Sequence, residues 1–362
     1  MSYKEKKIDY SVELMRIVGC FIVIGLLLSI NPVINNQINF NRQLVNALCF
    51  DGATIFWLIT GFFFVKGNYE KQLKRTIFGL WIPVIVLSIL SYLIYDYSLL
   101  RSNKISEMNS ILEYLSIFFK GILSFRNFAP SGSHFWFIYI YLFVVIISPL
   151  IKKIINLIES TNTGVILGFL SFALLCVNDY TNNQLLHLGT HYLAALVPAT
   201  VFVIYGHFLY KNLNKIQNYK FINAISILVT YLLINLLRTY LIMNSYNVGV
   251  DSTLDNWFSS FSIISAVLIV LLVSVLYKQY KSKKIDDWIG SISKYTLYIY
   301  LIHPFIIKVL KKLSIYKSLV STLNGTNFVF ECLYIVVFSV LVFIASLFVC
   351  VIVDRIIRKF KK

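Results

Sequence analysis

Charged residues are scarce in this chain, and several patterns that define common protein classes are missing. Only 14% of the 362 residues are charged, whereas 58% are hydrophobic. This balance excludes an ordinary soluble domain, because such domains carry about 25% charged residues. The sequence also lacks glycine-rich phosphate loops of the GxxxxGKS or GxGxxG type. Their absence argues against an ATP-driven pump.

The cysteines follow neither a metal-binding nor a disulfide pattern. All five lie in or beside apolar segments, at Cys20, Cys49, Cys176, Cys332 and Cys350. Structural zinc sites use closely spaced pairs of cysteine or histidine ligands, and these cysteines are far apart. We therefore expect them to be packing residues, and we predict no metal site.

Long apolar runs dominate the chain. Ten can be distinguished, and a helix of about 20 apolar residues spans a bilayer core. They cover residues 12–30, 44–65, 76–98, 134–155, 163–178, 192–210, 221–243, 256–277, 294–313 and 328–353. The pattern predicts an all-α, polytopic membrane protein of about ten transmembrane helices, with a single domain over residues 1–362. Residues 99–133 have helical periodicity interrupted by charges, which favours an interfacial segment.

The distribution of lysine and arginine predicts the orientation in the membrane. With both termini in the cytoplasm, 22 of these residues fall in inside segments and 8 in outside segments. This asymmetry is the one expected for cytoplasmic loops. The net charge of +17 is therefore a topology signal and does not require a nucleic-acid partner. We expect a multi-pass protein of the cell membrane whose oligomeric state the sequence does not determine.

Glu13, Arg16, Asp51, Arg238 and His303 are the informative ionisable residues at membrane depth, where a charge costs roughly 2.5–3.5 kcal/mol on insertion scales. Glu13 and Arg16 are three residues apart, so they share a helix face and can form an ion pair. Arg238 has two interpretations, since it can extend to the outer interface or pair with Asp51. His303 lies near the middle of its helix, where it either takes part in chemistry or binds a buried tyrosine or carbonyl.

The first helix links Arg16 to one more position. Eleven residues make about three helical turns, so residue 27 lies on the face of Arg16, roughly 16 Å further along the helix. A polar side chain there would face the same cavity as the arginine. The residue present is Leu27.

Several segments together resemble the acyltransferase-3 family, whose members are ten-helix membrane enzymes that acylate cell-surface sugars. The signature of that family is an arginine, ten residues and a histidine in the first helix. Here the arginine is Arg16, the last residue of ELMR, and Leu27 occupies the histidine position. Four further segments resemble the family in the same order along the chain. They are ATIFWLITGFFF (53–64), KQLKRTIFGLWIP (71–83), HFWFIYIYLFVVIISPL (134–150) and YTLYIYLIHPFI (295–306).

The resemblance implies an acyl donor, usually acetyl-coenzyme A, that enters from the cytoplasm as a co-substrate. Arg16, oriented by Glu13, would bind this donor together with the basic residues Lys71, Lys74 and Arg75, which can hold its phosphates. The family commonly has two arginines three apart in this basic segment. Here Arg75 is followed by Phe78, and the lysines supply the charge instead.

The resemblance also implies a glycan acceptor on the outer side of the membrane. Asp51, Arg238, His134 and Trp136 are the candidate acceptor-binding residues, because they fall in the outer parts of their predicted helices. Each has a structural alternative. Asp51 and Arg238 can pair with each other, and Trp136 can be an interfacial anchor beside His134.

Leu27 marks the expected reaction centre but cannot take a proton or carry an acyl group, whereas imidazole does both near neutral pH. Three explanations stay open: the leucine was introduced to silence an enzyme, it is natural and leaves a pseudoenzyme, or His303 has taken the role. The sequence thus predicts an acetyl-coenzyme A-dependent O-acyltransferase that is altered at Leu27. A transporter or flippase of an envelope sugar is the alternative, although such proteins often show repeated halves that are not evident here.

Overall fold

The computed structural model describes residues 9–29, 32–34, 37–64, 67–91, 135–161, 163–180, 195–216, 221–247, 254, 257–322 and 328–360. Within these residues the protein consists of α-helices, one π-helical segment and one short β-hairpin. In chain order the elements are α1 (Tyr10–Leu28), β1 (Val33–Ile34), β2 (Gln37–Ile38), α2 (Phe40–Cys49), α3 (Gly52–Phe64), α4 (Tyr69–Thr76), a π-helix (Ile77–Trp81), α5 (Ile82–Ser91), α6 (Trp136–Ile146), α7 (Ser148–Thr161), α8 (Gly164–Tyr180), α9 (Leu196–Ile216), α10 (Phe221–Asn247), α11 (Ser260–Tyr280), α12 (Lys283–Ser293), α13 (Thr296–Lys312), α14 (Ser314–Thr322) and α15 (Phe328–Phe360).

Five helical segments are long and apolar enough to cross a membrane, and the bent pair of α6 and α7 is a sixth candidate. The five are Tyr10–Leu28, Phe40–Phe64, Asn223–Tyr246, Ser260–Tyr280 and Phe328–Ile356. All ten predicted runs overlap helices, but the other four do not meet the same criteria of length and composition. The predicted all-α membrane fold is therefore confirmed. The count of ten spans and the cytoplasmic position of the termini stay predictions.

Helix breaks interrupt two of the predicted spans. The axes of α6 and α7 differ by 66°. Pro149, the second residue of α7, has no N–H to bond back to the preceding turn, which explains why the two helices separate there. In the run 44–65, α2 ends at Cys49 and α3 begins at Gly52. Sequence periodicity showed neither break, and the predicted interfacial segment 99–133 lies outside the described residues.

The chain divides into two compact units. One contains Met1–Phe62 and Gly206–Lys362, and the other contains Phe63–Tyr205. In the first unit α1 packs against α2, α11, α12, α13 and α15, which places it at the centre of this helix cluster. In the second unit α4 and the π-helix pack against α6. The single domain predicted for residues 1–362 stays a prediction.

Two glycines of the first unit permit close approaches of helices. A Cβ atom on Gly52 would lie 2.8 Å from the backbone nitrogen of Val23, so α3 begins directly against α1. A Cβ on Gly206 would collide with the backbone carbonyl of Leu58, where α9 crosses α3. Only a residue without a side chain fits either position unless the backbone moves.

Candidate functional site

The N-terminal end of α1 carries the predicted donor-binding pair. Asp9 caps the helix by accepting a hydrogen bond from the backbone N–H of Ser11, and its second oxygen accepts one from the hydroxyl of Tyr210 at 3.2 Å. One turn further, Nη1 of Arg16 contacts both carboxylate oxygens of Glu13, at 2.9 and 3.1 Å. The pairing predicted from their spacing is therefore present.

Arg16 keeps access to solvent despite this pair. Its side chain is 34% exposed, whereas that of Glu13 is 16% exposed. The carboxylate thus holds the guanidinium on one side while part of it stays accessible. This arrangement can orient an arginine toward an anionic ligand.

The other predicted donor-binding residues lie on α4 in the second unit. The basic segment is a helix, Tyr69–Thr76, and the side chain of Asn68, which caps it, accepts a hydrogen bond from the backbone N–H of Lys71. Lys71, Lys74 and Arg75 are all exposed. Positions i, i+3 and i+4 of a helix share one face, so the three cations form a single basic surface, the α4 basic face.

Leu27 lies in the last turn of α1 and is half-buried. Its carbonyl oxygen accepts a hydrogen bond from Nζ of Lys311 at 3.2 Å, and Sγ of Cys20 lies 3.3 Å from the carbonyl oxygen of Thr296. Both contacts join α1 to α13. The later residue of α1, Leu27, meets the later residue of α13, Lys311, so the two helices run in the same direction. A rise of 1.5 Å per residue places Leu27 about 10 Å beyond Cys20, and His303 about 10 Å beyond Thr296. The two positions are therefore at a similar level on neighbouring helices.

His303 is completely buried and contacts its own helix. Its Nδ1 lies 3.2 Å from the carbonyl oxygen of Ile299. Pro304 follows it inside α13 and cannot donate to Tyr300, because proline has no N–H. This geometry agrees with the structural interpretation of His303, and its proposed part in catalysis stays a prediction.

Asp51 and Arg238 form a buried ion pair at the break between α2 and α3. Nη1 of Arg238 lies 3.2 Å from Oδ1 of Asp51, and both side chains are 0% exposed. The guanidinium also donates two hydrogen bonds to the carbonyl oxygen of Leu254, at 3.0 and 2.7 Å, and it lies 4.6 Å from the ring centre of Phe50. Of the two interpretations of Arg238, pairing is correct and extension to the interface is not.

Polar groups from α10 and α11 complete this network. The hydroxyl of Ser262 accepts from Arg238 at 3.3 Å, and Ser262 and Ser265 both face the carboxylate of Asp51. Asn235 donates to the hydroxyl of Ser265 at 3.3 Å. All these side chains are buried, and within the described residues Oδ2 of Asp51 has no hydrogen-bond partner. The predicted contact of Asp51 and Arg238 with an acceptor stays a prediction.

The remaining acceptor candidates lie in the second unit. His134 is outside the described residues. Trp136 begins α6 and is only 8% exposed, so it is a buried side chain and not an exposed interfacial anchor. Nearby, the rings of Trp81 and Tyr139 meet edge to face with centres 5.6 Å apart.

Sequence reasoning missed three charged residues near the C-terminal end of α1. Lys311 and Arg42 are two of the eight lysine and arginine residues that the topology prediction places in outside segments. Arg42 instead forms a buried ion pair with Glu331. These two residues are 289 positions apart, so no local spacing could have revealed the pair. An arginine and a glutamate near the ends of apolar runs were the only available signal.

Within the described residues, no group of three or more His, Cys, Asp and Glu side chains is arranged to hold a metal ion. All five cysteines are free thiols, of which Cys20 and Cys350 are buried and Cys176 is exposed.

Comparison with known proteins identifies the family. A family model for the acyltransferase-3 type, described as an acyltransferase domain, matches residues 9–355. No curated protein and no solved structure matches the chain. The match extends from the cap of α1 into the last turns of α15 and includes every predicted site residue. The chain therefore belongs to the acyltransferase-3 family of membrane acyltransferases.

Proposed function

We propose that this protein is an O-acyltransferase that moves an acetyl group from cytoplasmic acetyl-coenzyme A to a hydroxyl of an extracytoplasmic polysaccharide or its precursor. The observation that carries the proposal is the arrangement of α1. It holds a carboxylate-oriented, partly exposed Arg16 at one end and the family's histidine position, Leu27, about 16 Å further along the same face.

Arg16 supplies the first donor contact in this proposal. The phosphates of acetyl-coenzyme A attract guanidinium groups, which bind them through paired hydrogen bonds. The α4 basic face, in the second unit, carries three exposed cations of its own that attract phosphates. Under the predicted orientation both features lie at the cytoplasmic side, where the donor is available.

The transfer step requires a base at the other end of the path. The acceptor oxygen bonds to the acyl carbon as its proton is removed, and the carbon–sulfur bond breaks so that coenzyme A leaves as a thiolate. A histidine at position 27 would accept the proton. Leucine has no lone pair, so this chain is expected to bind the donor but to transfer acetyl slowly.

Donor binding can be tested even in a slow enzyme. Titration of the purified protein in lipid nanodiscs with acetyl-coenzyme A is expected to show saturable binding that weakens about tenfold in Arg16→Ala, since hydrogen bonds to charged groups contribute about 1.5–3 kcal/mol. The matched control is Arg358→Ala. Arg358 also pairs with a carboxylate of its own helix, Asp354, but it lies outside the proposed path. Equal affinity of the unmodified protein and Arg16→Ala would contradict the donor role.

A further inference from the structure

Lys311 brings a positive charge to the C-terminal end of α1. It is exposed near the end of α13, and its Nζ donates a hydrogen bond to the carbonyl oxygen of Leu27 at 3.2 Å. Side chains on a helix lean toward its N-terminus, so Lys311 reaches back along α13 to the turn of Leu27. A contact between two helices therefore holds the ammonium group at the turn that carries the family's histidine position.

The ammonium group is also close to the side chain at position 27. The Cβ atom of a residue lies about 3 Å from its own carbonyl oxygen, so Nζ of Lys311 is within about 6 Å of the Cβ of Leu27. A reacting group that touches side chain 27 is thus near the positive charge as well.

The charge of Lys311 has no carboxylate partner among the described residues. Arg42 and Glu331, which also lie near this end of α1, are buried and pair with each other, with Nε 3.0 Å from Oε1. Lys311 instead donates to an uncharged carbonyl oxygen. Because an ammonium group has three N–H donors, two are left to bind an anionic oxygen.

Acyl transfer creates an anionic oxygen next to the base. When the acceptor hydroxyl bonds to the acyl carbon, its proton goes to the base at position 27, and an electron pair of the C=O bond moves onto the acyl oxygen. The C=O bond then re-forms, the carbon–sulfur bond breaks and coenzyme A leaves as a thiolate. A fixed positive charge stabilises the anionic oxygen more than the neutral carbonyl that precedes it, and this difference lowers the barrier.

A helix cap is the competing explanation of this contact. The carbonyl of Leu27 is among the last four of α1, which have no partner within the helix, and a lysine near a helix C-terminus can satisfy one of them. The two explanations differ in what they require of the side chain. A cap needs mainly a hydrogen-bond donor, whereas stabilisation of an anionic oxygen needs the positive charge.

We infer that Lys311 is a catalytic residue whose ammonium group binds the acyl oxygen of the donor as that oxygen becomes negative. This role rests on the proposed function, because it requires the acyl group to reach the turn of Leu27. The side chain at position 27 determines whether a base is present, and Lys311 supplies the charge. The two contributions can therefore be changed independently.

The first test compares two ligands of the full chain in lipid nanodiscs. Acetyl-coenzyme A has a neutral acyl oxygen, whereas carboxymethyl-coenzyme A carries a carboxylate on the same sulfur atom, so the ratio of their affinities reports on the acyl end alone. We expect the unmodified protein to bind the carboxylate ligand about tenfold more tightly. This preference should disappear in Lys311→Gln, whose amide can still donate to the carbonyl of Leu27. It should persist in Lys311→Arg and in the matched control Lys312→Gln, which changes the neighbouring exposed lysine.

A kinetic measurement separates the charge from the cap. In the Leu27→His protein, Lys311→Gln should lower kcat about tenfold or more and leave the KM for acetyl-coenzyme A unchanged, because the anionic oxygen is absent from the ground state. Lys311→Arg should restore kcat. If the lysine is only a cap, Lys311→Gln should have the same kcat as its parent.

The inference is overturned if the unmodified protein shows no preference for the carboxylate ligand, or if Lys311→Gln keeps that preference. In both cases, binding of acetyl-coenzyme A would leave the donor assignment intact. If neither ligand binds to the unmodified protein, the donor assignment and the role of Lys311 are both refuted. A preference that depends on Lys311, without acetyl transfer by the Leu27→His protein, would support the anion site and refute the proposed transfer activity.

Discussion

Asp51→Asn removes one charge from a network in which every group is buried. The substitution keeps the size of the side chain, but it leaves the guanidinium of Arg238 without an anionic partner. Arg238 would retain the carbonyl of Leu254 and the hydroxyl of Ser262, neither of which carries a charge. Breaking a buried ion pair by removing one partner costs about 3–5 kcal/mol. We expect a loss of that size in the free energy of unfolding.

Asp51→Asn is one half of a double-mutant cycle. The other single substitution is Arg238→Met, and the double variant carries both changes. The single Arg238→Met change strands a buried carboxylate and should also cost about 3–5 kcal/mol. The double variant removes both charges and leaves mainly the carbonyl of Leu254 unsatisfied, which costs about 1–3 kcal/mol. It should therefore be more stable than either single variant.

The assay is equilibrium unfolding of the four proteins in lipid bicelles by titration with a denaturing detergent. Asp354→Asn serves as the control, because it breaks the exposed pair with Arg358 and should leave stability unchanged. If Asp51→Asn is as stable as the unmodified protein, or if the double variant is less stable than both single variants, the network does not hold the helices together as the contacts indicate.

Two further predictions concern the close helix crossing and the basic face. Gly206→Ala should destabilise the protein by about 1–3 kcal/mol in the same unfolding assay, because the new Cβ would collide with the carbonyl of Leu58. Gly168→Ala is the control and should be tolerated. Its new Cβ would lie 4.0 Å from the nearest heavy atom outside its own helix backbone. Equal stability of the two variants would contradict the packing at that crossing. Changing the three cations of the α4 basic face together to glutamine should weaken acetyl-coenzyme A binding about tenfold and make the binding less dependent on salt concentration. The same changes at exposed Lys281, Lys283 and Lys284 should leave the binding unchanged. If both triple variants bind alike, the α4 basic face is not a donor site.

Hydrophobic runs and local spacing identify helices and contacts within one helix. Each of the ten predicted runs overlaps a helix, because a backbone in lipid must satisfy its hydrogen bonds internally. The pair of Glu13 and Arg16 was predictable for a similar reason, since three residues bring two side chains to one helix face. The helix of α4 was also accessible in principle, from the capping residue Asn68.

Contacts between distant segments were not predictable in the same way. The pair of Asp51 and Arg238 was one of two open interpretations, and only the packing of α10 and α11 around the α2–α3 break decides between them. The pair of Arg42 and Glu331 was missed because both residues lie near the ends of apolar runs, where charges usually reach water. His303 lies at mid-depth in its predicted span, where the sequence left a reactive and a structural interpretation open, and the structure shows its Nδ1 3.2 Å from the carbonyl oxygen of Ile299 on the same helix.

The measurement that most directly tests the proposed function is transfer of isotopically labelled acetyl from acetyl-coenzyme A to envelope glycan, in vesicles that contain either this chain or its Leu27→His variant. Leu27 is half-buried at the end of α1, so an imidazole fits there without entering a closed core. We expect the histidine variant to transfer label and the unmodified chain to transfer much less. Equal transfer by both proteins would show that another residue carries the chemistry. No transfer by either would contradict the proposed acyltransferase activity.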